Sequence, residues 1–428
     1  MKVVLLGSGG REHALAYKIA ESQQLEKLYI LPGNPGTKNI GSNIAIEVND
    51  HDNIISFCIE HKIDLVVIGP EKPLVDGLTD KLTELGIKVF GPTKEAARIE
   101  GEKSFAKELM KKKNIPTAAF EIFHKEDYAK AISYLNQIDY PIVLKADGIA
   151  AGKGVIIVDN FGQAQETIDD IFKKSVFGSA GDKLVIEEFM TGQEASLFVI
   201  TDGIEFVILP AAQDHKRIFD GDKGKNTGGM GAYAPTPFVK KEDLEKVIQS
   251  IINPTLKGMK ENGSPFVGCL YCGLMMTKEG PKVVEFNCRF GDPETQVVLP
   301  LLKGDLLELF YSAASGKINK NAIEYNGGSS ISVVAASGGY PDKYEKGKEI
   351  FGLEKFINSE DIIVFHAGTK EINGKIVTDG GRVLNVTSIC NENNLSKAKT
   401  IAYMAIDKIS FDGIQYRKDI SDKAMKRI

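Results

Sequence analysis

One segment decides how the centre of this chain folds. It reads Ile142-Val-Leu-Lys-Ala-Asp-Gly-Ile-Ala-Ala-Gly-Lys-Gly-Val-Ile-Ile-Val158. Two β-rich runs, Ile142–Ala146 and Val155–Val158, flank a loop of glycine, alanine and lysine. A Walker A loop does not fit, because only three residues separate Gly148 from Gly152, and a glycine instead of Ser or Thr follows Lys153. The segment therefore predicts two strands joined by a glycine lid that can close over a polyphosphate.

Lys145 is the one cation in the first of these runs. A lysine among apolar neighbours is usually a surface residue whose ammonium group reaches water. At the end of a strand that continues into a glycine loop, the same ammonium group can instead bind phosphate. Both interpretations stay open on the residues alone.

The densest run of polar residues is Val283-Val-Glu-Phe-Asn-Cys-Arg-Phe-Gly-Asp-Pro-Glu-Thr-Gln296. In a strand, Glu285, Asn287 and Arg289 share one face. Two oxygen donors at this spacing suit Mg²⁺, and a guanidinium beyond them can hold a carboxylate or phosphate through two hydrogen bonds. A solvated polar face is the alternative, but the opposite face is apolar, with Val284, Phe286 and Cys288.

The first hundred residues alternate β-rich runs, such as Ile44–Val48 and Leu65–Ile68, with helical patterns, such as Leu74–Leu85, which predicts a parallel sheet with crossover helices. Gly7-Ser-Gly-Gly-Arg-Glu12 joins the first strand to the first helix, and such a turn directs backbone N–H groups at an anion. The dinucleotide fingerprint fails, because Glu12 stands in place of its last glycine and no acid ends the second strand. A phosphate monoester fits better, although a tight turn without a ligand would need the same small residues.

Composition excludes several classes of protein. At roughly 150 residues per domain, 428 residues predict about three domains. A net charge of −5 argues against a nucleic-acid scaffold and against a polybasic membrane binder. No apolar run reaches the ~18 residues of a membrane span, and the N-terminal apolar run is too short for a signal peptide. We therefore expect a soluble cytoplasmic protein that binds neither nucleic acid nor membranes.

The five cysteines are scattered, which argues against a disulfide framework. Cys269-Leu-Tyr-Cys272 has the C-x-x-C spacing of redox and zinc sites. It lies in the β-rich run Phe266–Thr277, where side chains three apart point to opposite faces, and no second pair follows at zinc spacing. We predict two small buried hydrophobic residues there.

Taken together, these motifs resemble the phosphoribosylamine–glycine ligases (glycinamide ribonucleotide synthetases), purine-biosynthesis enzymes of the ATP-grasp superfamily. The resemblance covers nearly the whole chain. Its segments are Gly7-Ser-Gly-Gly-Arg-Glu-His-Ala14, Gly69-Pro-Glu-Lys-Pro-Leu74, Lys145-Ala-Asp-Gly-Ile-Ala-Ala-Gly-Lys-Gly-Val155, Gln213-Asp-His-Lys-Arg217, Asn226-Thr-Gly-Gly-Met-Gly-Ala232 and Arg289-Phe-Gly-Asp-Pro-Glu-Thr-Gln296. The last looks like the signature of the family, whereas many ATP-grasp enzymes share the glycine lid.

The resemblance implies a multi-domain protein of the α/β and α+β classes. An N-terminal Rossmann-like domain would span residues 1–101, and an ATP-grasp domain residues 102–325, with a lid subdomain at about 117–190. A small mixed α+β domain would span residues 326–428.

The resemblance also implies the reaction and the residues that serve it. ATP activates glycine as an acyl phosphate, the amine of 5-phosphoribosylamine displaces the phosphate, and Mg²⁺ or Mn²⁺ assists. The implied catalytic residues are Arg289, Lys145, Asp292 and Asp214. The implied ATP-binding residues are Lys103, Lys145, Gly152, Lys153, Gly154, Glu187, Glu188, Phe189 and Glu194. The implied substrate-binding residues are Gly9, Gly10, Arg11, Asp214, Lys216, Arg289 and Gly291, and the implied metal ligands are Glu285 and Asn287.

One departure concerns the metal site. Many ATP-grasp ligases carry an acidic metal ligand on the preceding strand, but Tyr271-Cys-Gly-Leu-Met-Met276 has no acid. Either the predicted metal shell is incomplete, or a second Mg²⁺ is held mostly by phosphates. We expect a monomer. Two rival hypotheses stay open from the sequence: another ATP-grasp enzyme that uses bicarbonate or formate, and a nucleotide-binding regulator that has lost catalysis.

Overall fold

The computed structural model describes residues 1–148 and 154–425. The centre of the predicted glycine lid, including Gly152 and Lys153, lies outside the described residues. Gly154 is described, and its carbonyl accepts a hydrogen bond from the N–H of Ala146 at 2.9 Å.

The N-terminal part is a five-stranded parallel sheet in the order β3-β2-β1-β4-β5. Its central strand contains Val3–Leu6, all fully buried, as expected where helices cover both faces of a parallel sheet. The strand order reverses between β1 and β4, and ligands of open α/β sheets bind at such a point. The elements are β1 (Lys2–Gly7), α1 (Gly10–Ile19), β2 (Lys27–Pro32), β3 (Ser42–Asn43), α2 (His51–His61), β4 (Leu65–Ile68), α3 (Glu71–Val75), α4 (Leu78–Glu84), β5 (Lys88–Phe90) and α5 (Lys94–Gly101).

A second, four-stranded sheet follows, in the order β6-β9-β7-β8, and two helices pack on it. Strands β7 and β8 pair antiparallel, and the undescribed lid residues connect them. The elements are α6 (Lys103–Lys112), β6 (Phe120–His124), α7 (Tyr128–Leu135), β7 (Ile142–Ala146), β8 (Val155–Val158), α8 (Phe161–Ile168) and β9 (Lys183–Glu188).

A third sheet has the order β11-β10-β16-β17 and approaches the second where the Lys145 side chain on β7 reaches the Val284 carbonyl on β17. The chain that enters the second sheet also forms a parallel bridge with β17, between Thr117 and Val283. The elements of this stretch are β10 (Gln193–Thr201), β11 (Phe206–Ile208), β12 (Gln213–Asp214), β13 (Arg217–Phe219), β14 (Lys223–Asn226), β15 (Gly231–Ala234), α9 (Lys241–Val247), α10 (Asn253–Glu261), β16 (Gly268–Thr277), β17 (Gly280–Asn287), α11 (Thr295–Val298), β18 (Leu302–Gly304) and α12 (Leu306–Ala314).

A fourth sheet, in the order β12-β15-β20-β24-β21, forms the C-terminal part. Two of its five strands come from residues 213–234, so this sheet crosses the boundary predicted at about 325. The remaining elements are β19 (Ile323–Tyr325), β20 (Ser329–Ala336), β21 (Ile362–His366), β22 (Thr369–Ile372), β23 (Lys375–Thr378), β24 (Arg382–Cys390), α13 (Leu395–Ile406) and α14 (Asp422–Met425).

Apolar packing joins the N-terminal sheet to the central part. The rings of Phe90 on β5 and Phe310 on α12 stack with their centroids 3.9 Å apart, and Phe290 lies 5.8 Å from Phe310. The loop that follows β17 is therefore held against the open edge of the N-terminal sheet. Within the described ranges, no helix combines the length and apolarity needed to cross a bilayer.

Candidate active site

Lys145 ends inside the protein, not at its surface. Its side chain on β7 is only 6% exposed, and its Nζ lies 2.9 Å from Oε1 of Glu187 on β9. The same Nζ donates to the Val284 carbonyl on β17 at 3.1 Å, across the cleft between the second and third sheets. The surface interpretation of Lys145 is therefore wrong, and the ammonium group lies where a ligand in the cleft would meet it.

Lys103 begins α6 at the same cleft, where its Nζ donates to the carbonyl of Gly148 at 2.8 Å. Burial lowers the pKa of Lys103, while the carboxylate of Glu285 opposes that effect. Glu188 and Phe189 follow at the end of β9, and the Phe189 side chain is exposed. Unlike these two, Glu187 is buried, and its carboxylate balances the charge of Lys145.

Glu194, Asp214 and Lys216 form a charged group beside β10. The Nζ of Lys216 lies 2.6 Å from Oε2 of Glu194. Burial raises the pKa of Asp214 to about 7, with Lys216 opposing the rise and the carboxylates of Glu294 and Glu194 adding to it. Asp214 is thus a carboxyl group poised to exchange a proton near neutral pH.

Glu294 is a site residue that the sequence reasoning missed. Its side chain is almost fully buried, and its Oε1 accepts a hydrogen bond from the Ser196 hydroxyl at 2.9 Å. The Ser196 hydroxyl also lies 2.9 Å from the Tyr271 hydroxyl. Among the described residues, no Lys, Arg or His forms an ion pair with Glu294, so this carboxylate lacks a cationic partner. Its place inside the Arg289–Gln296 signature was the signal that could have identified it.

A small cavity lies between these groups, lined by Glu194, Ser196, Lys216, Tyr271, Gly273 and Glu285, among others. Glu285 and Asn287 lie at the end of β17, both half-buried. Burial acts to raise the pKa of Glu285, but the cations Lys216, Lys145, Lys103 and Arg289 outweigh it, and the pKa is lowered. Glu285 is therefore ionised, as a metal ligand must be.

The donor set fits Mg²⁺ or Mn²⁺ only with help from a ligand. One carboxylate and one amide oxygen are hard donors of the right type, because Mg²⁺ usually keeps waters and binds substrate phosphates beside one or two carboxylates. No group of three or more His, Cys, Asp or Glu side chains able to hold a metal occurs in the described part of the chain.

A bulge in β17 changes one prediction about this strand. The pairing with β16 skips Val284, which leaves Val283 opposite Leu274 and Glu285 opposite Gly273. Val283 is therefore fully buried, whereas Val284 is half-buried and lines the cavity. The prediction that Val284 lies on the apolar face with Phe286 and Cys288 is wrong, and the bulge also leaves the Val284 carbonyl accepting a hydrogen bond from Lys145.

Arg289 is held by two glutamates from the N-terminal part. Its Nη2 lies 2.9 Å from Oε1 of Glu100, and its Nε lies 3.3 Å from Oε2 of Glu71. Its Nη1 donates to the Phe290 carbonyl at 3.2 Å. Neither glutamate was predicted from the sequence, because they lie about 200 residues earlier in the chain. The guanidinium is oriented before any ligand binds.

The loop at Gly9–Arg11 already binds a carboxylate of the chain itself. The N–H of Gly9 donates to Oε2 of Glu12 at 2.8 Å, and Arg11 Nε lies 2.7 Å from Oε1 of Glu12. A Cβ on Gly10 would lie 2.5 Å from Oδ1 of Asn385 on β24, so only glycine fits there. A substrate phosphate at this loop would use the free N–H groups of the first turn of α1, since Glu12 occupies Gly9.

Asp292 and Gly291 connect the signature to the C-terminal sheet. Asp292 Oδ1 accepts from Gln296 at 2.8 Å and lies 3.2 Å from the Arg382 guanidinium. A Cβ on Gly291 would lie 2.7 Å from Glu294 Oε2, so the loop needs glycine to pack on that carboxylate.

Both polar atoms of the Asn385 amide are buried and have no hydrogen-bond partner. Asn385 was not predicted, because a lone asparagine in an apolar strand gives no motif.

The structure thus brings Lys103, Lys145, Glu187, Glu194, Asp214, Lys216, Glu285, Asn287 and Arg289 to one cleft. Gly9, Gly10, Arg11, Gly291 and Asp292 lie together at its other end, where β1 and β4 meet the signature loop and β24.

Three family models match the chain in order. They describe the N domain of phosphoribosylglycinamide synthetase at residues 1–100, its ATP-grasp (A) domain at residues 101–295 and its C domain at residues 330–423. A relative named phosphoribosylamine–glycine ligase from Caldanaerobacter subterraneus subsp. tengcongensis is 46% identical over 421 residues, covering 98% of this chain and 99% of that protein.

Solved structures agree with this family. The crystal structure of phosphoribosylamine–glycine ligase from Thermotoga maritima matches with a TM-score of 0.84 at 36% identity, over 98% of this chain and all of that one. The biotin carboxylase domain of Hydrogenobacter thermophilus 2-oxoglutarate carboxylase, solved with MgADP and bicarbonate, matches with a TM-score of 0.74 at 17% identity, over 97% of this chain and 91% of that one. The second likeness shows a shared fold alone. On the three family models and the identity of its relatives, this chain belongs to the phosphoribosylglycinamide synthetase family.

Proposed function

We infer that this chain is an ADP-forming ligase of purine biosynthesis that joins glycine to 5-phosphoribosylamine through glycyl phosphate. Relatives that it matches over their full length carry the name of that ligase. One structural observation carries the assignment to this site: four cations, Lys103, Lys145, Lys216 and Arg289, surround the carboxylate of Glu285. Three of these cations are also paired with carboxylates of the chain, so they are held in place and can contact the oxygens of a metal–polyphosphate complex.

The first step joins two anions. A carboxylate oxygen of glycine attacks the γ-phosphorus of ATP, the bond to the bridging oxygen breaks, and ADP leaves. Catalysis of such a step is chiefly alignment and charge neutralisation. We propose that Lys103 and Lys145 neutralise the phosphates, and that the oriented Arg289 holds the carboxylate through two hydrogen bonds. Glu285 and Asn287 would hold Mg²⁺ or Mn²⁺, which neutralises phosphate charge and orients the phosphates when bound.

Glycine also carries an ammonium group that bicarbonate and formate lack. Glu294 is buried without a cationic partner among the described residues, and its negative charge adds to the rise in the pKa of Asp214. A substrate ammonium group would pair with Glu294, because a buried charge is stable only when it is paired. We propose that Glu294 selects the amino acid.

The second step releases a proton. The amine nitrogen of phosphoribosylamine attacks the acyl carbon, inorganic phosphate leaves with its bonding electrons, and the nitrogen gives up one proton. The Asp214 carboxylate, with its pKa of about 7, can accept that proton at neutral pH. The phosphate of the substrate would lie at the first turn of α1, next to Gly10 and the unpaired amide of Asn385.

We further propose that the protein is a cytoplasmic monomer, with domain boundaries near residues 101 and 325. All five cysteines are free and buried, which agrees with a reducing compartment. The family models break the chain at residue 100 and again between 295 and 330.

The test is ADP release by the purified chain with glycine and freshly generated phosphoribosylamine, omitting each in turn. We expect sustained ADP release only when both are present. ADP release that depends on bicarbonate or formate instead of glycine would support the rival ATP-grasp enzyme. Nucleotide binding without any turnover would support the regulator.

A further inference from the structure

A second buried lysine, Lys107, lies behind the site and has no part in the mechanism described so far. It lies one turn after Lys103 on α6 and is 2% exposed. Its Nζ lies 3.0 Å from Oε2 of Glu187 and donates to the Thr117 hydroxyl at 2.8 Å. Glu187 is therefore shared between two lysines, because Lys145 contacts the same carboxylate at 2.9 Å.

The charge balance of this triad depends on Lys107. Two ammonium groups and one carboxylate carry one net positive charge. If Lys107 were absent or neutral, Glu187 and Lys145 would form a one-to-one pair with no net charge. A buried pair of that kind attracts an anion far less than the triad does, since opposite charges a few ångströms apart cancel at longer distance.

The same lysine also takes part in polar contacts that join four elements around the cleft. The Thr117 hydroxyl that accepts from Lys107 donates in turn to the Val283 carbonyl on β17 at 2.7 Å. Val283 precedes Val284, whose carbonyl accepts from Lys145. A closed set of polar contacts thus runs from α6 through β17 to β7 and back through Glu187 on β9.

We propose that Lys107 is a positioning residue for ATP binding. Its ammonium group shares the Glu187 carboxylate with Lys145, so that the positive charge of Lys145 stays available for the phosphates. The inference rests on the proposed function only in so far as the ligand is ATP. The Nζ of Lys107 contacts Glu187 and the Thr117 hydroxyl, so Lys107 acts through Glu187 and Lys145.

Few charged groups face Lys107. They are Glu187 and Glu188 on β9 and Lys145 on β7, and the ring of Phe120 on β6 lies 5.4 Å from its Nζ. Burial lowers the pKa of Lys107 to about 8, with Glu187 opposing the shift and Lys145 adding to it. Lys107 therefore loses its proton slightly above neutral pH, and the triad loses its net charge with it.

The experiment measures the dissociation constant of Mg-ATP by titration calorimetry for the wild type, Lys107→Met and Lys107→Arg between pH 7 and pH 9. We expect Lys107→Met to bind Mg-ATP about tenfold more weakly at pH 7, from the loss of one charge at this distance. Wild-type affinity should fall by a similar factor as the pH rises through about 8. Lys107→Met should show a smaller fall over this range than the wild type, since only Lys103 and other groups still titrate, and Lys107→Arg, which stays protonated, should restore affinity at pH 9.

Lys111→Met is the matched control, because Lys111 lies one turn further along α6, is exposed and also lies over the Phe120 ring at 5.9 Å. It removes the same charge from the same helix outside the triad and should bind Mg-ATP as the wild type does. Steady-state kinetics should show a higher KM for ATP in Lys107→Met with the KM for glycine unchanged.

Three results would overturn the inference: a wild-type affinity that stays constant from pH 7 to pH 9, unchanged affinity in Lys107→Met, or an equal loss in Lys111→Met. The first of these needs no variant and stands even if Lys107→Met does not fold. Each leaves the proposed function intact, provided that the wild type binds ATP and ligates glycine. A wild type that binds ATP with the expected dependence on Lys107 but ligates no glycine would refute the proposed function and retain the inference.

Discussion

Replacing Arg289 by lysine separates alignment of the substrate from its charge. Arg289 makes three contacts in the structure, with Glu100 at 2.9 Å, with Glu71 at 3.3 Å and with the Phe290 carbonyl at 3.2 Å. A lysine ammonium group is a point charge that cannot span both glutamates and still present two parallel donors to a carboxylate. Losing one preorganised donor in a transition state costs about 2–4 kcal/mol, so kcat/KM for glycine should fall about 30- to 1,000-fold.

The stability of the variant should fall as well. Glu100, whose side chain is 9% exposed, would keep the hydrogen bond from the Cys288 N–H at 2.7 Å but lose its contact with the guanidinium, and a hydrogen bond to a charged group contributes about 1.5–3 kcal/mol. The dissociation constant of Mg-ATP should stay within about twofold of the wild type, since the ATP-binding candidate Lys145 contacts Glu187 and not Arg289.

The assay compares initial ADP release at varied glycine with calorimetric binding of Mg-ATP. Arg98→Lys is the control, because Arg98 also contacts two glutamates, Glu95 and Glu102, but lies on the outer part of α5. It should keep full activity. If Arg289→Lys loses ATP affinity as severely as Lys145→Met does, Arg289 belongs to the nucleotide site and the assignment to glycine is refuted.

Three further predictions concern other parts of the chain. Because Asp214 must be ionised to accept a proton, and its pKa is about 7, kcat/KM should fall about tenfold per pH unit below pH 7. If kcat/KM of Asp214→Asn falls in the same way below pH 7, Asp214 is excluded as the base. Cys269→Ala and Cys272→Ala should each destabilise the fold by about 1 kcal/mol and leave ligation intact, and stoichiometric zinc in the purified wild type would contradict this prediction. From the sequence, proteolytic cleavage near Lys153 should decrease when Mg-ATP is added, and cleavage at an equal rate would argue against a lid there.

Local patterns predicted the regular elements well where hydrophobic runs are short and bounded. Leu65–Ile68, Ile142–Ala146 and Val155–Val158 are strands with the predicted bounds. The predicted strand Ile44–Val48 is wrong, since β3 ends at Asn43 and this edge segment pairs little with the sheet. The predicted helix Leu74–Leu85 is broken at Gly77, whose positive φ of 86° interrupts it.

Side-chain period predicted one strand correctly and another only in part. Cys269 and Cys272 lie on opposite faces of β16 and pack into different hydrophobic cores, as period-2 alternation predicts. On β17 the bulge at Val284 breaks that alternation, and nothing in Val283-Val-Glu285 marks a bulge in advance. Periodicity describes one strand, whereas a bulge depends on the partner strand as well.

Partners distant in sequence were beyond prediction. The sequence motifs identified Arg289 and Lys145, but not that Glu71 and Glu100 orient the first or that Lys107 shares Glu187 with the second. Single glutamates and lysines on helices are indistinguishable from solvated surface residues until the fold buries them. Glu294 was within reach, because it belongs to a motif that had already been singled out.

The contact between α1 and the C-terminal sheet has a consequence for the growing chain. His13 Nδ1 accepts the backbone N–H of His366 at 2.8 Å, and the two residues are 353 positions apart. At roughly 5–20 residues per second, a ribosome needs some tens of seconds to make that interval. During this time the strand–turn–helix at Gly7–Ile19 has no β21 or β24 to cover it. We therefore expect the nascent N-terminal half to depend on a chaperone or on slow folding. We also expect the end of the site at Gly9–Arg11, which needs β24, to form last.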